Sequence, residues 1–135
     1  MRLRSLKGFT LIELLVVIVI LGVLAAISMV KYSNTKQRAW RANGIGDLRK
    51  LATAQEAFFS DSSRYAVVAD TGSAAGRLNF QPSHGNTTLT LVASSGGWSG
   101  LLNIPGAEQC GIYSGTAAMP AGMPAATLSG VPVCW

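Results

Sequence analysis

Residues 8–30 read Gly8-Phe9-Thr10-Leu11-Ile12-Glu13 followed by LLVVIVILGVLAAISMV, and this stretch decides the fold. Residues 14–30 are seventeen in a row without a charge or a proline. Counted from Phe9 the run is twenty-two residues. A helix rising about 1.5 Å per residue carries that run roughly 33 Å, close to the hydrocarbon thickness of a bilayer. Val and Ile are modest helix formers in water, but lipid offers the backbone no outside partner, so a membrane enforces the helix. Glu13 does not suit a plain anchor. An acid inside a membrane helix costs about 3 kcal/mol on insertion scales and calls for a positive partner.

Ahead of the run stands a basic leader, residues 1–8, with Arg2, Arg4 and Lys7, ending in Gly8, which leaves the backbone open to a protease. A cut after Gly8 would free an α-amino group on Phe9, four positions before Glu13. The two charges would then meet at one depth on neighbouring identical chains. Two other readings compete: an ordinary secretory signal cleaved near Ser28, after Ala25 and Ala26, and an uncut single-pass anchor. Neither has a use for Glu13, and the run is longer than a usual signal core.

Lys7-Gly8-Phe9-Thr10-Leu11-Ile12-Glu13 with its apolar run resembles the class III signal of type IV prepilins and of the related pseudopilins of type II secretion. The resemblance implies that a membrane-embedded aspartyl prepilin peptidase cuts between Gly8 and Phe9 and methylates the Phe9 amine. It implies that Glu13 sets the register of an incoming subunit by pairing with a neighbour's Phe9 amine. The implied partners are that peptidase and methylase, identical and related pilin subunits in a helical homopolymer, an inner-membrane assembly platform and, before assembly, the lipid bilayer. The implied location is the bacterial inner membrane, spanned once with the N-terminus in the cytoplasm, and afterwards an extracellular filament. One position departs from the pattern: many pilins carry a kinking proline where this chain has Val30, leaving Gly22, Gly44 and Gly46 as candidate flexible points.

At 135 residues the chain is of single-domain length, with about a hundred residues beyond the apolar helix for a small core. Its net charge of +5 includes three leader cations, so eight positive side chains (11 minus 3) face six negative ones after a cut at Gly8. That near balance, with no basic aromatic stripe, argues against nucleic acid as a direct ligand. Lys31, Tyr32 and Lys36 follow the apolar run as interface anchors, and the basic leader is expected to keep the N-terminus in the cytoplasm and send residues from Lys31 onward outside.

Residues 31–61 read as an amphipathic continuation of the first helix segment, 9–30. Ile45, Leu48, Leu51, Ala52, Gln55 and Phe59 recur at spacings of three and four, with Arg49, Lys50 and Glu56 projecting elsewhere. Phe58 and Phe59 are both expected in the core. Asn43-Gly44-Ile45-Gly46 predicts a bend or weak spot, and Asp61-Ser62-Ser63 a helix end. The phrase from Ala54 to Tyr65 also resembles the helix end and turn of many pilin-like subunits. A connecting loop follows over 62–86, with turn formers Gly72, Ser73, Gly76 and Pro82-Ser83-His84-Gly85-Asn86.

Residues 87–135 pattern as three or four antiparallel strands: 87–93, with Leu89, Leu91 and Ala93 on one face; 98–104; 109–113; and 131–135, an edge because Pro132 cannot donate to a ladder. Laid on the amphipathic helix they make an α+β, pilin-like fold. Cys110 and Cys134 are the two cysteines of the chain. In an exported domain they read as a disulfide closing the C-terminal region, worth about 3 to 4 kcal/mol in chain entropy, the alternative being two buried thiols. No catalytic set, metal-ligand spacing or phosphate-binding loop is present, and His84 stands alone, so neither an enzyme, a metal site nor a cofactor is expected. Asn86-Thr87-Thr88 fits a glycosylation acceptor.

Three functions follow. The favoured one is a structural subunit of a type IV pilus, serving adhesion, motility or DNA uptake through the filament. The second is a pseudopilin of a type II secretion system, whose major subunits typically hold calcium in a C-terminal loop; after Asp70 this chain has Glu108 as its single acid. The third is a membrane-tethered binding domain.

Overall fold

The computed structural model describes residues 8–72, 77–83, 87–104 and 108–135, with Val30 described by its backbone alone. Leader residues 1–7, the turn residues Ser73, Gly76 and Gly85, and His84 and Asn86 lie outside the described residues, as does the side chain of Val30. The elements in order are α1 (Leu11–Ser62), a 3-10 turn η1 (Val68–Asp70), β1 (Thr88–Ser94), β2 (Gly97–Asn103), β3 (Gln109–Gly115) and β4 (Val133–Cys134). The chain forms two compact units, Met1–Lys36 and Gln37–Trp135, and α1 contributes to both.

In the first unit every side chain over residues 11–29 is exposed, although the segment is almost wholly apolar. The Ser28 hydroxyl donates to the Leu24 carbonyl at 2.8 Å, so even this polar group is satisfied within the helix. α1 is long and apolar enough to cross a membrane.

In the second unit, Gly44, Leu48, Leu51, Gln55 and Phe58 are buried. Their spacing of four, three, four and three keeps them on one helical face. That face packs on a four-stranded antiparallel meander, β1-β2-β3-β4. One expectation is corrected here. Phe59 is not core: it is 38% exposed and stacks on Tyr65 with ring centroids 4.6 Å apart, because it lies about 100° around the helix from Phe58. α1 runs on as a hydrogen-bonded helix through Asn43-Gly44-Ile45-Gly46. A Cβ on Gly44 would lie 2.9 Å from Cys110 Sγ and 3.0 Å from Ile104 Cδ1, so this glycine lets helix and sheet approach.

Register aligns Leu91, Gly100 and Ile112 across three strands, and Leu89, Leu102 and Cys110 beside them. Gly100 is the gap into which Leu51 fits, for a Cβ there would sit 2.8 Å from Leu51 Cδ2. β4 is an edge strand of two residues, shorter than the expected 131–135, since Pro132 and the turns before it keep the chain off the ladder.

The connector is held by polar side chains of α1. Gln55, fully buried, donates from Nε2 to the Ala66 carbonyl and accepts at Oε1 from the Ala66 N–H, both at 2.9 Å. Asp47 accepts from the Ser83 N–H at 2.7 Å and the Ser83 hydroxyl at 2.6 Å. The helix ends at Ser63, whose φ of 56° and N–H bond to the Phe59 carbonyl at 2.8 Å make a left-handed cap in which serine replaces the usual glycine. Arg64 then grips Asp70 through two bonds of 2.7 and 3.0 Å. That guanidinium, helped by the Val67 N–H, lowers the Asp70 pKa to about 2, and Asp70 in turn raises that of Arg64. Burial, and after it the charge of Glu56, raises that of Tyr65.

Candidate functional site: the N-terminal helix end and the C-terminal closure

Gly8 and Phe9 precede α1 in non-helical backbone, exposed, with the Phe9 side chain 83% exposed. Thr10 caps the helix: its hydroxyl accepts from the Glu13 N–H at 3.3 Å and donates to Glu13 Oε2 at 2.7 Å, while the Thr10 N–H donates to the same oxygen at 2.9 Å. This is a reciprocal capping box, which satisfies two of the donors that a helix start leaves open. It also holds the carboxylate at the positive end of the helix dipole. Both bonds land on Oε2, so Oε1 remains open to a further donor. Beside it, Phe9, Ile12, Val16 and Val17 line a shallow hollow of about 350 Å³ with Glu13 at its edge.

Of the residues singled out in sequence, Gly8 and Phe9 precede α1 and Glu13 lies in its first turn. Sequence reasoning passed over Thr10, although Thr-x-x-Glu before an apolar run is the sequence signature of the box. Among the described residues no cluster of three potential metal ligands occurs.

Cys110 and Cys134 are paired partners across β3 and β4, with Cα atoms 3.9 Å apart, and are joined in a disulfide. The bond closes a loop that folds back over the outer face of the sheet. The Tyr113 hydroxyl donates to the Thr127 carbonyl at 2.8 Å, and the Gly130 N–H to the Tyr113 carbonyl at 2.7 Å. A Cβ on Gly111 would lie 2.8 Å from Trp135 Cη2, so glycine lets that indole lie flat on the strand. Arg41 on α1 ties the closure down by donating to the Cys134 carbonyl at 3.1 Å and facing Glu108 at 3.4 Å. The one acid beyond Asp70 is thus engaged by a guanidinium.

Residues 3–29 match the family model described as the prokaryotic N-terminal methylation motif. The chain is 35% identical over 91 residues to the type IV major pilin protein PilA of Myxococcus xanthus, an alignment covering 67% of this chain and 39% of that protein. It is 40% identical over 65 residues to the type II secretion system core protein G of Klebsiella michiganensis, covering 48% and 46%. A fimbrial protein of Pseudomonas aeruginosa is 32% identical over 93 residues, covering 69% and 56%. The chain therefore spans between 39% and 56% of the length of these relatives.

Proposed function

We propose, from the premise that this chain belongs to the type IV pilin and pseudopilin family, a structural and non-enzymatic one, that it is a subunit of a type IV pilus. Cleavage between Gly8 and Phe9 by a prepilin peptidase, with methylation of the new amine, makes the mature subunit. Before assembly residues 9–30 sit in the bacterial inner membrane; afterwards they line the core of an extracellular filament that serves adhesion, motility or DNA uptake. The observation that carries the reading is a uniformly exposed apolar helix over residues 11–29 with one carboxylate at its head.

The transfer exchanges one apolar surrounding for another, so it needs little hydrophobic driving force, and direction must come from a specific contact. Glu13 supplies it: Oε2 stays in the capping box while Oε1 receives the Phe9 amine of a neighbour. The remaining partners are the inner-membrane assembly platform and further pilin subunits.

A pseudopilin of a type II secretion system is the second reading, favoured by the likeness to core protein G. Against it stand the disulfide closure and the engagement of Glu108 by Arg41, which leave the C-terminal loop without an acid for a calcium ion.

The test is to shear surface filaments from cells and identify the protein and its N-terminus. A methylated Phe9 start in the filament is the expected result, and a start elsewhere overturns the reading. Gly8→Val should leave an uncut precursor in the membrane. Glu13→Ala should be cut normally yet yield no filament, and a normal yield would remove Glu13 from its role.

A further inference from the structure

In the second unit most charges are matched within the chain. Arg41 faces Glu108, Lys50 faces Asp47, and Arg64 grips Asp70. Arg77 donates to the carbonyls of Ala69 and Thr71. Arg38 and Arg49 have no acid partner among the described residues, and neither Glu56, which is hydrogen-bonded to the Tyr65 hydroxyl, nor Asp61 has a cation there. All four are exposed residues of α1, and Asp61 stands apart near its end, so the line is made by Arg38, Arg49 and Glu56. At about 100° per residue they fall within roughly 20° of a single line along the helix, about a third of a turn from the buried row of Gly44, Leu48, Leu51, Gln55 and Phe58.

Along that line Arg49 and Glu56 are about 10 Å apart, and Arg38 and Glu56 about 27 Å. The spacing leaves the opposite charges unpaired within one chain. Nor does the helix dipole explain them, because its effect is confined to the first and last turns and all three lie outside those. A second copy lying parallel and slipped along the axis satisfies both signs.

We propose that the line of Arg38, Arg49 and Glu56 is a contact surface between copies of this chain, in which Arg49 of one copy meets Glu56 of the next at a slip of about 10 Å. Without a slip, parallel copies set arginine beside arginine and glutamate beside glutamate, so the charges reject that register. A slip repeated from copy to copy does not close, and a contact that does not close builds an open filament. The contact rests on the chain polymerising as proposed, and adds to it a lateral bond in the second unit.

The test uses the full chain carrying Arg49→Cys together with Glu56→Cys, in filaments sheared from cells, oxidised mildly and run on a non-reducing gel. Within one helix the two Cα atoms are about 10 Å apart, beyond the ~7 Å that a disulfide tolerates, so a new bridge must join two copies. A ladder of dimers and higher multimers is expected, and filaments that remain monomeric on the gel overturn the proposal. Independently, Arg49→Glu should lower the filament yield about fivefold, and adding Glu56→Arg should restore it. An unchanged yield in the single variant, or no recovery in the swap, also overturns it. If the unmodified chain forms no filament, the polymer reading itself fails, and that result is visible before any variant is made.

Discussion

Replacing Gln55 by leucine isolates the bond between α1 and the connector. Gln55 and Ala66 are both fully buried, and two bonds of 2.9 Å join the side-chain amide to the Ala66 N–H and carbonyl. Leucine has a similar volume, so it fills the space, but it strands one donor and one acceptor away from water. Each stranded group costs about 1 to 3 kcal/mol, and the added apolar burial returns about 1 kcal/mol, leaving a net loss of about 3 kcal/mol. For a unit of this size each kcal/mol moves the thermal midpoint by about 4 to 8 °C, so a fall of roughly 12 to 24 °C is expected. The assay is thermal unfolding of the mature full-length chain in detergent, followed by near-ultraviolet circular dichroism at pH 7. Gln55→Glu sharpens it: a buried carboxylate can accept from the Ala66 N–H but faces the carbonyl with no proton to give. That variant should be weaker still at pH 7 and recover as acid protonates it. A leucine variant that melts at or above the unmodified protein would refute the reasoning, because the clamp would then add nothing to what packing supplies.

Acid should weaken the turn after α1. Asp70 sits at about 2 in the folded chain against an ordinary 3.8, so its contribution is complete above pH ~4 and is lost as pH falls through the folded value. Midpoints taken at pH 5, 3 and 2 should show that loss in the unmodified chain, with a flatter profile in Asp70→Asn. Cys134→Ser opens a disulfide between residues 24 apart in sequence and should cost about 3 to 4 kcal/mol; equal midpoints with and without the bond would show that the ladder and Arg41 hold the closure alone. Gly100→Ala places a methyl 2.8 Å from Leu51 Cδ2 and should cost about 1 to 3 kcal/mol. Combining it with Leu51→Ala should cost less than the sum of the two single changes, and strict additivity would mean that the two sites do not touch.

The parts of this fold that stand plainly in the sequence are those written as a period. The apolar run, the three-and-four spacing of Leu48, Leu51 and Gln55, and the alternation of Leu89, Leu91 and Ala93 each name a face, and each face is found buried or exposed as that period requires. A period says which side is apolar but not what it meets. Gly44 therefore reads as flexibility in sequence, yet it and Gly100 are close-contact points in space, since their meaning lies in Cys110 and Leu51 far along the chain. Phe59 fails for a related reason: an apolar side chain one position past Phe58 lies on the stripe's edge, and only the placement of Tyr65 decides that it stacks in solvent rather than in the core. Gln55 and Asp47 are likewise polar residues on a buried face whose partners, Ala66 and Ser83, are fixed by tertiary structure.

Glu13 is the instructive case, because two local signals overlap on one residue. Read against the apolar run it is a charge lacking a counter-ion; read against Thr10 it is a helix cap with its needs partly met. The two readings do not compete for the same atom, since the cap uses Oε2 and leaves Oε1. The cap in fact favours the pairing proposed for the filament. It fixes the carboxylate at the helix start before any neighbour arrives, so the incoming amine meets a group whose side-chain freedom has already been lost. Thr10→Ala separates the two contributions: cleavage at Gly8 should proceed as before, while filament yield should fall by less than in Glu13→Ala. A Thr10→Ala yield equal to the unmodified chain's would show that the neighbour's amine orders the carboxylate unaided.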